Sequence, residues 1–578
     1  MMGTVLLGYT AAQVRAAEQP VLDAGPVDSL MQRAAFALAV HVCRSLRARR
    51  GLVSGASAVL LVGPGNNGGD ALYAGAELAR RGVRVVAIAT SAQRHAAGLA
   101  ALRTAGGRVV TVADVGPAGD VGAAGADRGA GERVTVADAV AVCVAADVVL
   151  DGLLGIGARG ALRGPAADVV RSLALVLADG DLADGDLAGS DLADGDRAGS
   201  DPAGSDFAGG VLAGGDRADG DRADGDRAIR RTRPYVVAVD TPSGIGVDDG
   251  VLVEPVLRAD LTVTFGVVKA GLLLPPACAA VGRLEVVDLG LDLGDEEPAC
   301  ARLSGVDVAA LWPVPDGAAH KYTRGVLGVV AGTPAYPGAA VLTVTAAVRA
   351  GAGMVRFIGS PGVTAVVLTA RPEVVAGDGR VQAWALGPGV DPGDHPQVAR
   401  ARDALARALS TAIPAVVDAG SLAGLPDLLA PWVVLTPHAG ELAALLVERG
   451  EVVERSEIEA APVRWARRAH ELTGATVLLK GATTVVVGVG GAVYSQADGP
   501  AWLATAGAGD VLTGLLGALL AGRAADVVEE PSLAAALAAA AALVHGRAAH
   551  RAQPGGPVSA LAVADALPGT VAGILTGR

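Results

Sequence analysis

Asp240 closes the apolar run Tyr235–Val239 and leads into Thr241-Pro242-Ser243-Gly244. Asp151 follows Val148–Leu150 in the same way and leads into Gly152-Leu153-Leu154-Gly155-Ile156-Gly157. A third apolar run, Ser57–Val62, is followed by Gly63-Pro64-Gly65-Asn66-Asn67-Gly68-Gly69-Asp70 just before a helical stretch. In α/β sheets, ligands bind beyond the carboxyl ends of the strands. Glycines there let backbone amides approach an anion, and a helix N-terminus favours phosphate. Singly, each Asp reads equally as a turn former or N-cap. Three polar loops on one sheet edge can instead converge on a pocket. Its Asp and Asn oxygens would hold a monovalent cation, and one Asp would remain free as a general base.

A second constellation lies further along. Gly507-Ala508-Gly509-Asp510 opens a long apolar helix. Amides at such a start can cradle the charge on a transferring phosphoryl group, and Asp510 can take a proton from an attacking hydroxyl. Capping of a Gly-rich helix by Asp510 is the structural alternative. Lys480-Gly481-Ala482-Thr483-Thr484 directly follows a strand and supplies a second phosphate-type loop. Thr436-Pro437-His438-Ala439-Gly440-Glu441 supplies a third strand-end site, where His438 reads as a substrate contact although a lone His is usually structural. Gly387-Pro388-Gly389 adds a close-approach turn.

These loops need a scaffold. The spacing predicts a helix over 10–49, with Leu30, Met31, Ala34, Ala35, Leu38 and Val42 on one face. Another helix is expected over Ala71–Arg81. Strands are expected at 57–62, 83–89, 148–150, 235–239, 261–265 and 284–287. After an acidic, Pro-containing stretch near 291–315, a second set of strands follows at 326–331, 354–358, 383–386, 415–417, 432–435 and 476–479. A long apolar helix is expected to end near 522, and an Ala-rich helix follows at 532–544. Near-continuous apolar strands alternating with helices mean doubly wound parallel sheets. The expectation is therefore α/β, with two doubly wound domains at 1–295 and 305–578.

Composition agrees. Of 578 residues, 51% are hydrophobic but only 3% aromatic, so the cores are built of Ala, Val and Leu. A net charge of −13 argues against nucleic acid and against a polybasic membrane surface. The apolar stretches 511–522 and 533–544 fall short of the roughly 18–20 residues that a span needs. The start lacks a basic n-region, so no signal peptide is expected. Cys43, Cys143, Cys278 and Cys300 have no CxxC spacing and read as isolated buried thiols in a reducing compartment, the cytoplasm. Of 47 basic residues only Lys269, Lys321 and Lys480 are lysines. A lysine kept against such an arginine bias can mark a place where arginine cannot substitute chemically.

Residues 178–231 carry irregular Asp-Leu-Ala-Asp-Gly and Asp-Arg-Ala-Asp-Gly units, with 14 Asp and 6 Arg. No spaced apolar face exists there to bury, so a disordered acidic insert is expected. A calcium-binding repeat is the alternative, but calcium loops need a bidentate Glu or a fixed turn period, and this repeat is irregular.

The first three loops resemble the NAD(P)H-hydrate epimerase family over about residues 10–290. Leu30-Met31-Gln32-Arg33-Ala34 and Phe265-Gly266-Val267-Val268-Lys269-Ala270-Gly271 add to the likeness. The resemblance implies that Asn66, Asn67, Gly68, Gly69 and Asp70, with Gly155, Ile156, Gly157, Ala158, Arg159, Gly160 and Ala161, bind the hydrated nicotinamide nucleotide. It further implies that Asn67, Asp151 and Ser243 bind K⁺, that Asp240 is the catalytic acid/base, and that Lys269 lies near the substrate. Ala71 and Ile156 depart from the usual Gly and Thr.

Residues 305–578 resemble the ribokinase-like superfamily. Within it, His320-Lys321-Tyr322-Thr323-Arg324-Gly325, Tyr336-Pro337-Gly338-Ala339-Ala340, 436–441 and 480–484 point to the NAD(P)H-hydrate dehydratase family. The resemblance implies that Ala339, Gly389, His438 and Asp510 contact the hydrate, with Asp510 catalytic. It implies that Lys480, Gly481, Ala482, Thr483, Thr484 and Gly509 contact the nucleotide. Ala508 departs from a frequent Thr. The two halves in this order resemble the bifunctional bacterial repair enzymes. That implies ADP as phosphoryl donor and Mg²⁺; a homo-oligomer is expected, and the acidic balance argues against a nucleic-acid or membrane partner. A vitamin-precursor or sugar kinase on the same fold is the rival enzyme reading. A nucleotide-binding module without turnover is the non-enzymatic one, and a partner-binding role for the acidic repeat is a third. If the repeat is a tolerated insertion, deleting residues 180–228 leaves both activities intact; loss of epimerisation in a coupled hydrate assay would overturn that.

Overall fold

The computed structural model describes residues 5–113, 132–157, 160–184 and 233–577. Ala158 and Arg159, and the acidic insert from 185 onward, lie outside the described residues. The seven residues 178–184, expected to belong to the insert, instead continue the helix Gly164–Asp184, which is anchored upstream by buried Val169, Val170, Leu173 and Leu177.

The first sheet is parallel throughout. Its order is Arg283–Val287, Leu261–Phe265, Tyr235–Val239, Val148–Gly152, Ser57–Val62, Arg84–Ala89, Arg108–Val112 and Arg133–Val134. The three strands that end in polar loops, Tyr235–Val239, Val148–Gly152 and Ser57–Val62, are thus neighbours. Their carboxyl ends meet on one edge, as the apolar runs implied. Helices cover both faces, because these strands are buried on both sides.

Two helical boundaries differ from expectation. The stretch 10–49 is two helices, Ala11–Ala24 and Ser29–Arg50. Pro26 lacks a backbone donor and disfavours helical geometry in the residue before it, so the chain breaks at Gly25. The Asn66–Asp70 segment is not a loop before a helix but the first turn of the helix Asn66–Arg80. Gly68 permits this: a Cβ there would stand 2.2 Å from the Gly63 carbonyl oxygen.

The second sheet runs Val375–Ala376, Met354–Phe357, Val326–Val330, Ala383–Leu386, Ala415–Val417, Val433–Leu435 and Thr476–Leu479, all parallel. Two strands not anticipated from the sequence, Thr484–Val487 and Val493–Gln496, extend it antiparallel. Lys480–Thr483 is therefore the turn of a hairpin, and Thr484 lies in its second strand. Beyond Val493–Gln496 the sheet takes in Cys300–Arg302, then Leu6–Tyr9 and Val268–Lys269 from the N-terminal half. The two halves share a core as well: Val268, Leu272, Leu273 and Leu274 pack in one cluster with Val485, Val487 and Val493.

The Ala-rich helix is longer than the apolar run suggested, and a helix not anticipated from the sequence, Ala560–Leu575, follows it. Ser532–Ala552 spans 21 residues and is long and apolar enough to cross a membrane by length and composition. It is instead the centre of the second core, with Leu537, Leu543 and Val544 fully buried against the helix Ala508–Gly522 and its neighbours. The four cysteines are all free thiols. Cys143 and Cys300 are buried as expected, but Cys43 and Cys278 are only half-buried.

Gly63 shows how tightly the polar edge is built. Its N–H donates to the Gly152 carbonyl at 3.1 Å, and a Cβ would meet the Leu153 carbonyl oxygen at 1.9 Å. Overpacking of that kind costs about 1–3 kcal/mol. Gly63→Ala is therefore expected to lower the melting midpoint by several degrees in calorimetry, whereas an unchanged midpoint would mean that the two loops separate freely.

Candidate functional site

The first site lies where the three strand ends meet. Asp151 is fully buried, yet its partners are all uncharged. The Ser243 N–H donates to Oδ2 at 2.8 Å, the Ser243 hydroxyl to Oδ1 at 2.7 Å, and the Leu153 N–H to Oδ1 at 3.3 Å. Burial pushes its pKa up against these bonds. The Asn67 amide donates to the carbonyls of Leu154 and Val239, each at 2.6 Å. Asn67, Asp151 and Ser243 are thus brought together around carbonyl and carboxylate oxygens. That all-oxygen set, with a buried carboxylate lacking a cationic partner, fits a hard cation. Gly155 lies against Asn67, where a Cβ would touch its amide carbon at 3.2 Å.

Asp240 is the hinge of the site. It occupies the left-handed region, φ 64°, uncommon for a residue with a side chain. Its Oδ1 accepts from Thr264 Oγ1 at 3.0 Å, the Phe265 N–H at 3.0 Å and Lys269 Nζ at 2.5 Å. Lys269 is 1% exposed and donates also to the Phe265 carbonyl at 2.8 Å. Two carboxyl groups stand near this pair. Burial first, and then the Asp240 charge, hold the Asp70 carboxyl well above its usual range. Burial likewise raises Glu18, with Lys269 opposing it. A buried acid with a raised pKa keeps a proton that a free carboxylate would lose. Glu18 carries no recognisable pattern in sequence, because it reaches the site from the helix Ala11–Ala24 across the fold.

The glycine-rich residues divide. Gly155 and Gly160 line a cavity of about 310 Å³ together with Thr241 and Pro242. Gly68 and Gly69 are buried within the helix turn, and Met31 covers Gly69, which gives the Leu30–Ala34 motif its place. Asn66 and Gly157 are exposed, and Ile156 and Ala161 half-buried. Arg15 binds the Ile156 carbonyl at 2.6 Å, which ties the N-terminal helix over this loop. Ala71 is buried against Gly152, where a second Cβ would approach its methyl to 2.7 Å, so the departure at Ala71 is accommodated.

The second site is centred on an ion pair. Lys480 Nζ donates to Asp418 Oδ1 at 2.7 Å and lies 3.6 Å from Glu441 Oε2. Thr513 Oγ1 donates to the other Asp418 oxygen at 2.8 Å. Burial pulls the Lys480 ammonium down, but Asp418, Glu441 and Asp510 outweigh it and hold its pKa above the ordinary value. Gly509 sits beside them: a Cβ there would lie 3.4 Å from Lys480 Nζ. Asp418 was missed in sequence, although it ends the strand Ala415–Val417 just as Asp151 and Asp240 end theirs.

Asp510 begins the buried helix Ala508–Gly522, after Gly507 at φ 87°. Burial, and then the Asp418 charge, raise its pKa to about 7, with Lys480 opposing. Gly389, at φ 61°, packs on Ala339 so closely that a Cβ would stand 2.5 Å from the Ala339 methyl. Gly507 meets Leu342 of the same helix, Pro337–Arg349, at 2.5 Å by the same measure. His438 caps the helix Ala439–Glu448, its Nδ1 accepting from the N–H groups of Gly440 and Glu441 at 3.0 and 3.2 Å. Its backbone bridges Lys480, and the Lys480 N–H donates to the Pro437 carbonyl at 2.8 Å. Gly481 and Ala482 are exposed on the hairpin turn. Two of the three lysines are thus ion-paired in the two sites, while Lys321 is exposed beside Tyr322.

The raised Asp510 pKa fixes a sign. Between pH 3.8 and about 7 the folded chain keeps a proton that the unfolded chain has lost, so stability falls as pH rises through that window. Asp510→Asn carries no such group. It should raise the melting midpoint more at pH 8 than at pH 5; the opposite order would remove the buried-acid reading.

Two family models match this chain. That described as NAD(P)H-hydrate dehydratase covers residues 327–566, and that described as YjeF-related protein N-terminus covers 27–176 and 218–271. The chain is 38% identical over 525 residues to the bifunctional NAD(P)H-hydrate repair enzyme Nnr of Mycobacterium tuberculosis, with 89% of each chain covered. It is 39% identical over 526 residues to the enzyme of the same name from Mycobacterium leprae, again with 89% of each covered. A solved ADP/ATP-dependent NAD(P)H-hydrate dehydratase from Bacillus subtilis, co-crystallised with ATP/Mg²⁺, is 27% identical; the match covers 46% of this chain and 96% of that one, at a TM-score of 0.40. With both halves matched in order and nearly nine-tenths of each full-length relative aligned, the chain belongs to the bifunctional NAD(P)H-hydrate repair enzyme family.

Proposed function

We propose that residues 1–295 carry the epimerase, with Asp240 as its acid/base, and residues 305–578 the dehydratase, with Asp510 as its base. The enzyme repairs nicotinamide nucleotides damaged by addition of water to the reduced ring. It interconverts the R and S hydrates, and it dehydrates the S form to NAD(P)H at the expense of ADP. The observation that carries the residue assignment is that each half holds a lysine–carboxylate pair at the carboxyl edge of its sheet, with a second acid of raised pKa nearby: Asp70 near Lys269–Asp240, and Asp510 near Lys480–Asp418.

In the first half, Lys269, Thr264 and the Phe265 N–H hold one oxygen of Asp240, which orients the carboxylate for proton exchange at the hydrated carbon. Asn67, Asp151 and Ser243 would hold K⁺, whose charge would offset the buried carboxylate. The Gly155 loop would bind the nucleotide beside it.

In the second half, Ala339, Gly389 and His438 would seat the S hydrate with its ring hydroxyl toward Asp510. Asp510 takes the hydroxyl proton as the oxygen attacks the terminal phosphorus of ADP, and the bond from that phosphorus to AMP breaks. The amides at Gly509 and the Lys480 ammonium face the phosphates, with Gly481 to Thr484 along the nucleotide. Mg²⁺ would add neutralising charge; the Asp418 and Asp510 carboxylates, close enough to repel each other, suit a hard cation. Phosphate then leaves with the ring C–O electrons while a proton departs from the adjacent ring carbon, and the double bond is restored. Phosphorylation makes a poor leaving group a good one.

The test is recovery of reduced-nicotinamide absorbance from mixed-epimer NADH hydrate with ADP and Mg²⁺, with ATP and Mg²⁺, or with neither. Complete recovery with ADP is expected, and Asp240→Asn should stop it once the S form is spent. At saturating substrate the rate should climb about tenfold per pH unit up to near pH 7, as Asp510 loses its proton, and level off above. No recovery with either nucleotide would overturn the assignment and point to a vitamin-precursor kinase.

A further inference from the structure

The nucleotide turn of the second half is not closed by the second half alone. A cavity of about 520 Å³ lies between the Lys480–Thr483 turn and the helices that begin at Arg455 and Pro462. Another wall is supplied by Pro275, Pro276, Cys278 and Ala279, which belong to the N-terminal half. The Cys278 Sγ lies 3.3 Å from Thr483 Oγ1. This wall is held firmly. Arg302 donates to the Leu273 carbonyl at 2.6 Å, and the Ser495 hydroxyl donates to the same oxygen. The preceding residues 268–274 lie in the shared core.

We propose that the N-terminal half completes a pocket for the adenosine end of a nucleotide, and that Cys278 limits what fits there. The chemistry of the walls carries the assignment. Pro275, Pro276, Ile458 and Pro462 offer flat apolar surface of the kind that receives a base. The exposed Arg455 guanidinium lies at the rim, its Nε donating to Glu459 at 2.8 Å, with its remaining N–H groups available to a ring or a phosphate. His438 and Lys480 line the same cavity, so a ligand held here reaches the Asp418–Asp510 centre with its phosphate end. The volume is in the range of small-ligand sites. The proposal rests on the reading of 480–484 as the nucleotide loop. ADP and the hydrated dinucleotide both carry adenosine, so either can supply the occupant.

The experiment uses the full chain. Cys278→Phe fills the cavity, and Cys278→Ser preserves its size. The Phe variant is expected to raise KM about tenfold, for ADP if the donor sits here or for the hydrate if its adenosine does. The Ser variant should keep both constants near the wild-type values, and epimerase turnover of the Phe variant should stay within about twofold, which reports folding. In parallel, alkylation of Cys278 by iodoacetamide, read by peptide mass spectrometry, should slow when ADP or NADH is present. Unchanged KM for both substrates, together with unchanged alkylation, overturns the proposal. Should the Phe variant not fold, protection of the wild-type thiol decides by itself. Should the wild type show no dehydration, the functional reading fails, while ADP protection still tests the pocket.

Discussion

Burying the Lys269 ammonium is the constraint around which the N-terminal half is arranged. A charge at 1% exposure survives only if paired and hydrogen-bonded. Asp240, Thr264 and the Phe265 carbonyl supply three partners, and all come from the ends of two adjacent strands. Removing one partner of such a pair typically costs about 3–5 kcal/mol, so the geometry is enforced by stability as well as by chemistry. Asp240 holds a left-handed backbone while its carboxylate meets Lys269. Arginine would not serve: its planar fork needs more donors satisfied than this enclosed point offers.

The same pair connects the site to the rest of the molecule. Lys269 ends the short strand Val268–Lys269, in register with Tyr9. The strand Leu6–Tyr9 in turn pairs with Cys300–Arg302, which joins the dehydratase sheet at Tyr494. Nine residues further along the chain, Cys278 stands against Thr483. One continuous segment therefore contributes a charged group to the first site and a wall to the cavity beside the second. A shared sheet and a shared apolar cluster make this a fixed relation, unlike the small polar contact that usually lets domains move apart.

Much of this was legible in the residues, for identifiable reasons. Strands buried on both faces read as unbroken apolar runs, so Ser57–Val62, Tyr235–Val239, Leu261–Phe265 and Thr476–Leu479 match residue for residue. Strand-end Asp residues stand out against such runs, which is why Asp151 and Asp240 were recognisable. Asp418 carried the same signal but sits after a strand of only three residues, Ala415–Val417, and its Gly-Ser turn looks like ordinary punctuation. Glu18 and the partnership of Cys278 with Thr483 depend on contacts across the fold and leave no local pattern. Leu6–Tyr9 was hidden for the same reason, since four residues of edge strand have no periodicity of their own.

The arginine bias proved the most economical clue. A chain that tolerates arginine almost everywhere keeps two of its three lysines where an ammonium is clasped by a buried carboxylate. Both clasps occupy equivalent places, the carboxyl edge of a parallel sheet, and both sit near an acid whose proton is held by burial and by a neighbouring negative charge. The two reactions differ, but the physical demand is the same. In each, a buried acid holds its proton beyond the ordinary carboxylate range, and a lysine limits the repulsion among the surrounding carboxylates. A compact cation on a flexible stem meets that demand by pairing with one carboxylate, Asp240 in the first half and Asp418 in the second, beside an acid that burial keeps protonated.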